Sequence, residues 1–270
     1  MLALMGNSNT KTIVITGHSI GGATASLSAL WLLSYLHHIS CSTSVSVLCI
    51  TFGSPMLGND SFSRAILKER WGGNFCHVVS KHDIMPRLLF APTTPYTAQL
   101  NLLLQFWQQS TTAPGFGKLA VPVSDQQQEL FNVVMSCLDA ATQDGEGSTP
   151  ILFHPFGSYL FVSSEGAVSV DSSTAVIKMM HLMFASGSPA CSIEDHLKYG
   201  DYVKKLSLQF LSHKNSMQGN IPDSSYEAGL ELAVQSLGLA KQVNALSCLT
   251  PLWYVMFLHL LLIEHIQSVA

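Results

Sequence analysis

Charge is scarce in this 270-residue chain: Asp, Glu, Lys and Arg together make up 11% of it, and the net charge is −4. With hydrophobic residues at 47%, that balance excludes long disorder and describes a chain able to bury a sizeable core. No basic footprint of a nucleic-acid binder is present. The six cysteines (Cys41, Cys49, Cys76, Cys137, Cys191 and Cys248) form no CxxC pair, and no Cys/His cluster has zinc spacing. The sequence therefore predicts no metal and no cofactor. Several of the thiols lie in apolar runs, where a free cysteine acts as a small hydrophobe, so a reducing intracellular setting is the simplest reading. There is no internal repeat. The start, Met1–Gly6, lacks the basic flank and the apolar length of a signal peptide.

What is present is alternation. Thr12–Thr16 is a β-branched run read as a buried strand, Gly17–Gly22 a turn, and Ala23–Leu36 an apolar helix buried on most sides. Ser44–Phe52 reads as a second strand ended by Gly53-Ser54-Pro55, Ser61–Arg70 as a short helix, and Phe75–Ser80 as a third strand ended by Lys81-His82-Asp83. That order belongs to a mainly parallel sheet with crossover helices. Pro92–Pro150 breaks the rhythm. It carries predicted helices near Gln99–Gln109 and Gln126–Ala141, separated by a Pro/Gly segment at Pro114–Pro122, and reads as an insertion over the core. Tyr159–Ser163 and Ala167–Val170 flank Ser164-Glu165-Gly166 as a hairpin. Helices follow from a cap at Ser173 or Thr174 to Phe184, through Asp195–Leu211, and from Ser224-Ser225 to near Gly238. From Ala245 to Ile263 there is no charged residue. That stretch approaches the length of a membrane span but contains Pro251 and His259, so a buried helix or a non-native end fits it better.

Gly17-His18-Ser19-Ile20-Gly21 fits G-x-S-x-G, with a strand running into it and a helix running out. This is the context of a nucleophile elbow, where a serine sits on a strained turn and flanking side chains would collide with backbone. Ser19 is the candidate nucleophile. The backbone N–H of Ile20, at a helix N-terminus, is the candidate oxyanion donor. A serine hydroxyl needs a base, and in this arrangement the partners follow in the order serine, acid, histidine. Asp83 lies just past a strand end, where catalytic groups of open sheets gather, and Asp60 is the rival. Among eleven histidines, His18 is expected to be turned away by the elbow, His77 lies within a strand and His82 precedes the acid. His154, His181, His196 and His213 remain as candidates downstream of the acid and before the apolar tail, with His196 favoured where a loop meets a helix.

Thr16–Ala23 and Cys49–Gly58 resemble class 3, fungal-lipase-like domains. Asn74–Arg87, Phe153–Phe161, Glu194–Val203 and Ile221–Gly238 narrow the resemblance to the lipase-like immune regulators of plants. These are the enhanced-disease-susceptibility, phytoalexin-deficient and senescence-associated proteins, and the phytoalexin-deficient type is most similar. The resemblance covers roughly 12 to 238. It implies an α/β-hydrolase fold, with Ser19, Asp83 and His196 in the triad positions. It also implies a signalling role in a heterodimer with an enhanced-disease-susceptibility-type partner, in cytoplasm and nucleus. Relatives carry a long segment before the elbow, supplying early strands and the second oxyanion N–H, and a charged helical domain after it. This sequence has 18 residues before Ser19 and an apolar tail over 241–270 in place of that domain. The expectation is a lipase-like domain over 1–240 with an insertion at about 92–150. Three functions follow: a defence-signalling subunit, a serine carboxylester hydrolase acting on a lipid or small ester, or a truncated product without function. Loss of one oxyanion donor costs roughly 3–4 kcal/mol of transition-state stabilisation, so slow catalysis is expected under the second.

Overall fold

The computed structural model describes residues 12–38, 45–92, 94–112, 125–143 and 152–213. The first eleven residues, the segment 114–122, the helix expected to end near Gly238, the 240/241 boundary and the apolar stretch 245–263 lie outside the described residues. Among the described residues, no helix is long and apolar enough to cross a membrane.

Five strands form one sheet in the order of the chain: β1 (Thr12–His18), β2 (Ser46–Phe52), β3 (Phe75–Ser80), β4 (Ser158–Val162) and β5 (Ala167–Val170). The first four run parallel and β5 returns antiparallel to β4, with Val162 opposite Ala167. The hairpin is closed by the Ser163 N–H donating to the Gly166 carbonyl at 2.9 Å. Helix α1 (Ile20–His38) carries the chain from β1 to β2, and α2 (Asp60–Lys68) carries it from β2 to β3. Asn59 caps α2, its side chain accepting from the Phe62 N–H at 3.1 Å. The segment after β3 winds through a 3-10 turn, Met85–Phe90, into α3 (Thr97–Thr112) and α4 (Asp125–Thr142), the two helices expected of the insertion.

The alternation of side chains along the strands divides the core. Ile13, Val47, Cys49 and Phe75 face Ala25, Ala29 and Leu32 of α1 and Ile66 of α2. Further along the same side, Val79, Tyr159, Phe161, Val168 and Val170 pack under α3, α4 and α5 (Ser173–Ala185). Ile50, Cys76, Val78, Leu160 and Val162 point the other way, against Tyr199 and Leu206 of α7 (Tyr199–His213). A parallel sheet needs both faces covered; among the described residues β3 is buried throughout, whereas β1, expected to be a buried strand, buries only Ile13.

Three further local expectations are corrected. Helix α1 is not buried on most sides: Leu27 and Trp31 are 54% and 52% exposed, and Trp31 stacks on Tyr35 along that outer face. The cap of α5 is Ser172, one residue earlier than expected, its hydroxyl accepting from the Ala175 N–H. The helix expected over Asp195–Leu211 is three pieces. These are α6 (Pro189–Glu194), a 3-10 turn over Asp195–Leu197, and α7. Ser188 caps α6 and Pro189 opens it, a pairing that starts a helix where the preset proline torsion costs nothing.

Candidate active site

Strand β1 ends at His18, and Ser19 follows with φ of 57°, a left-handed conformation that side chains other than glycine rarely adopt. Two bonds hold it there: the Ser19 N–H donates to the Phe52 carbonyl and the Gly22 N–H to the Ser19 carbonyl, both at 2.9 Å. A Cβ on Gly17 would lie 2.1 Å from the Gly21 carbonyl oxygen, so this turn closes only on glycine. The second such position is not Gly21. A Cβ there meets nothing, whereas at Gly22 it would strike Ser54 at 2.7 Å. The glycine requirement is thus a close approach between α1 and the Gly53-Ser54-Pro55 turn. Ile20 is the first residue of α1, so its N–H has no partner within the helix.

The ends of β1, β2 and β3 lie side by side, with His18 opposite Phe52 and Phe52 opposite Val78. Beyond β3 the chain turns through Lys81-His82-Asp83, and this turn is laced to the segment 192–196. The Ile84 N–H donates to the Ser192 carbonyl at 3.1 Å, and the Ser80 hydroxyl to the Asp195 carbonyl at 3.3 Å. Two reciprocal couples result. His196 Nδ1 lies 2.9 Å from Asp83 Oδ2, with both side chains fully buried. His82 Nδ1 lies 3.3 Å from Asp195 Oδ2, and the His82 backbone N–H donates to the same oxygen at 3.0 Å. Burial alone would raise the Asp195 pKa, but bonds from His82 and Tyr202 outweigh it and leave the carboxyl below its ordinary value.

A carboxylate only accepts, so His196 carries a proton on Nδ1 and turns Nε2 away from the acid. That Nε2 is buried and has no hydrogen-bond partner among the described residues, Ser19 included. Trp107 of α3 closes over the ring, with centroids 4.0 Å apart, and its indole N–H donates to the Ile193 carbonyl at 3.0 Å. His18 is not turned away, contrary to expectation. Its ring lies 4.5 Å from that of His196, and its Nε2 donates to the His196 carbonyl at 2.8 Å. Partial burial, followed by the neighbouring imidazole, lowers its pKa.

Arg87 anchors the turn from beneath. Fully buried, it donates from Nε to the Met180 carbonyl at 3.0 Å and from Nη2 to the Lys81 carbonyl at 3.1 Å. Its Nη1 serves the carbonyls of Ser80 and Asp83. Burial pulls its pKa down to about 10, still far above neutrality, so the guanidinium stays charged.

The structure therefore brings Ser19, Ile20, Asp83 and His196 to one end of the sheet. It sets the rivals apart. Asp60 pairs with Arg64 at 2.5 Å on the surface of α2, and His77 bonds Thr51 inside the sheet. His181 faces Asp139 at 3.6 Å, the His154 backbone bonds Gly58, and His213 ends α7. Trp107, Arg87, Asp195 and Tyr199 join the site without having been candidates in the sequence. An aromatic among glutamines in α3 is a usable signal for Trp107, and Arg87, Asp195 and Tyr199 lie inside Asn74–Arg87 and Glu194–Val203, two of the segments that carry the resemblance.

A class 3 lipase family model matches residues 1–93. The chain carries a class 3 lipase domain. It is similar to lipase-like PAD4 of Arabidopsis thaliana, 36% identical over 85% of this chain and 30% of that protein. It is also similar to protein EDS1B of Arabidopsis thaliana, 28% identical over 75% of this chain and 35% of that protein. The lipase domain and its flanks thus span about a third of the length of these curated relatives. Among solved structures, M37 lipase superposes loosely, with a TM-score of 0.32 and 19% identity over 78% of this chain and 54% of that one. The α/β-hydrolase architecture is that of the described sheet itself: a strand, the Ser19 elbow and a helix within a mainly parallel sheet.

Proposed function

We propose that this protein is a lipase-like component of plant defence signalling that works by binding an enhanced-disease-susceptibility-type relative, in cytoplasm and nucleus. The similarity to lipase-like PAD4 across most of the chain carries this reading. The site is compatible with a role other than turnover: His196 is sealed beneath Trp107, and its Nε2 makes no bond to Ser19. The test is co-purification of the full chain with an EDS1-type protein. Retention of the partner through size exclusion supports the reading, and separate elution of two well-folded proteins overturns it.

A second reading, a serine carboxylester hydrolase acting on a lipid or small ester, is favoured by the assembled Asp83–His196 couple and the strained Ser19. In it, Ser19 attacks the ester carbonyl, His196 Nε2 takes its proton, Asp83 steadies the imidazolium and the Ile20 N–H receives the oxyanion. Movement of Trp107 must come first. Fluorophosphonate labelling of the parent but not of Ser19→Ala supports it; equal labelling of the two sinks it.

A further inference from the structure

We infer that Tyr199 is the positioning residue of the Asp83–His196 couple: its phenol holds the Asp83 carboxylate in the orientation that keeps the His196 proton on Nδ1. The Tyr199 hydroxyl lies 2.6 Å from Asp83 Oδ2, the same oxygen that His196 Nδ1 approaches at 2.9 Å. The direction of that bond is forced. The Ser80 backbone N–H, which can only donate, points at the phenol oxygen from 3.0 Å. The carboxylate oxygen can only accept, so the phenol proton lies on the bond to Asp83. Burial first, then the adjacent Asp83 charge, raises the Tyr199 pKa well above its ordinary value, so the donor keeps its proton at any working pH.

An aspartate carboxyl turns freely about its terminal torsion unless something fixes it. Here the Met85 N–H holds Oδ1 at 2.8 Å and Tyr199 holds Oδ2. Without the phenol, Oδ2 is held, among the described side chains, only by the imidazole it is meant to orient. Arg87 reaches the main-chain carbonyl of Asp83, Asp195 is turned to His82, and His18 packs on the imidazole and on the edge of the Tyr199 ring. No other charged group among the described residues is hydrogen-bonded to the carboxylate. The room for this arrangement comes from Gly53, with φ of +56°. A Cβ there would stand 2.5 Å from Asp83 Oδ2 and 3.0 Å from the phenol oxygen. The glycine of the Gly53-Ser54-Pro55 turn is therefore part of the same device. The 3-10 turn over Asp195–Leu197 sets the spacing, putting Tyr199 at the first position of α7 three residues after His196.

The inference rests on the hydrolase reading only where labelling is concerned; the geometry stands without it. The test uses the full chain in three forms: parent, Tyr199→Phe, and 3-fluorotyrosine incorporated at 199, which keeps the shape and strengthens the donor. The first readout is the low-field proton resonance of the His196 Nδ1–H. It should move in opposite directions in the two variants, and its exchange with water should rise about tenfold in Tyr199→Phe, the factor expected for one hydrogen bond to a charged group. If Tyr199→Phe does not fold, the fluorinated chain decides alone. A resonance unchanged in a folded variant, whatever happens to the melting temperature, overturns the inference and leaves Tyr199 as packing. The second readout is fluorophosphonate labelling at Ser19, expected to slow about tenfold in Tyr199→Phe. An unlabelled parent retires the hydrolase reading while the resonance still judges Tyr199.

Discussion

Lowering the pH should destabilise this domain through His77, and the size of the effect follows from where that residue sits. His77 occupies the middle of β3, 7% exposed, with Phe156 and Tyr159 each 4.9 Å away and Phe75 stacked beside it. Its Nδ1 is 2.8 Å from the Thr51 hydroxyl. Burial pushes its pKa down from 6.5 to about 4, and the nearby Phe156 backbone offsets only part of that. The unfolded chain takes up a proton as the pH falls through 6.5, whereas the folded chain resists until about 4. Stability is therefore intact above 6.5, declines between 6.5 and 4, and levels off below. A gap of this width corresponds to about 3 kcal/mol at the lower limit, at roughly 1.4 kcal/mol per pH unit. The assay is urea unfolding from pH 7.5 to 4 on the parent and on His77→Phe, which keeps an aromatic ring in the same pocket. Histidines common to both chains cancel in the difference. The parent should lose about 3 kcal/mol more than the variant across this window. Parallel stability–pH curves would falsify the reasoning.

The two glycines of the elbow motif should behave oppositely. Gly17→Ala should give no folded protein, while Gly21→Ala, in open space within α1, should be neutral or gain up to about 1 kcal/mol in chemical melts. Arg87→Met strips the carbonyls of Ser80, Lys81, Asp83 and Met180 of their donor, and should cost on the order of 3–5 kcal/mol in the same melts; a loss below about 1 kcal/mol contradicts the anchoring role. Trp107→Ala should open the site as well as destabilise it by about 3–5 kcal/mol. Peptide mass spectrometry after diethyl pyrocarbonate treatment should find His196 modified in that variant and protected in the parent, and equal protection counts against Trp107 as the cover.

The sequence by itself determined the local features. A β-branched run, a glycine-bounded serine and an alanine-rich run specify strand, turn and helix, because each is encoded by neighbours a few residues apart. Asp83 was placed by the same means, as the acid just past a strand end, and so were the hairpin at Ser163–Gly166 and the two insertion helices. His196 was favoured by its place where a loop meets a helix and by the family resemblance, but the tertiary structure alone shows it meeting the acid. His196 reaches Asp83 across 113 residues because the turn after β3 and the segment 192–196 are laced together by one backbone bond and by side-chain bonds from Ser80 and to Asp195, and no periodicity in a sequence records that meeting. The same long-range packing turned His18 toward His196, moved the second glycine requirement from Gly21 to Gly22 and left one face of α1 exposed. These outcomes depend on what stands opposite a residue in space, and the sequence lists only what stands beside it in the chain.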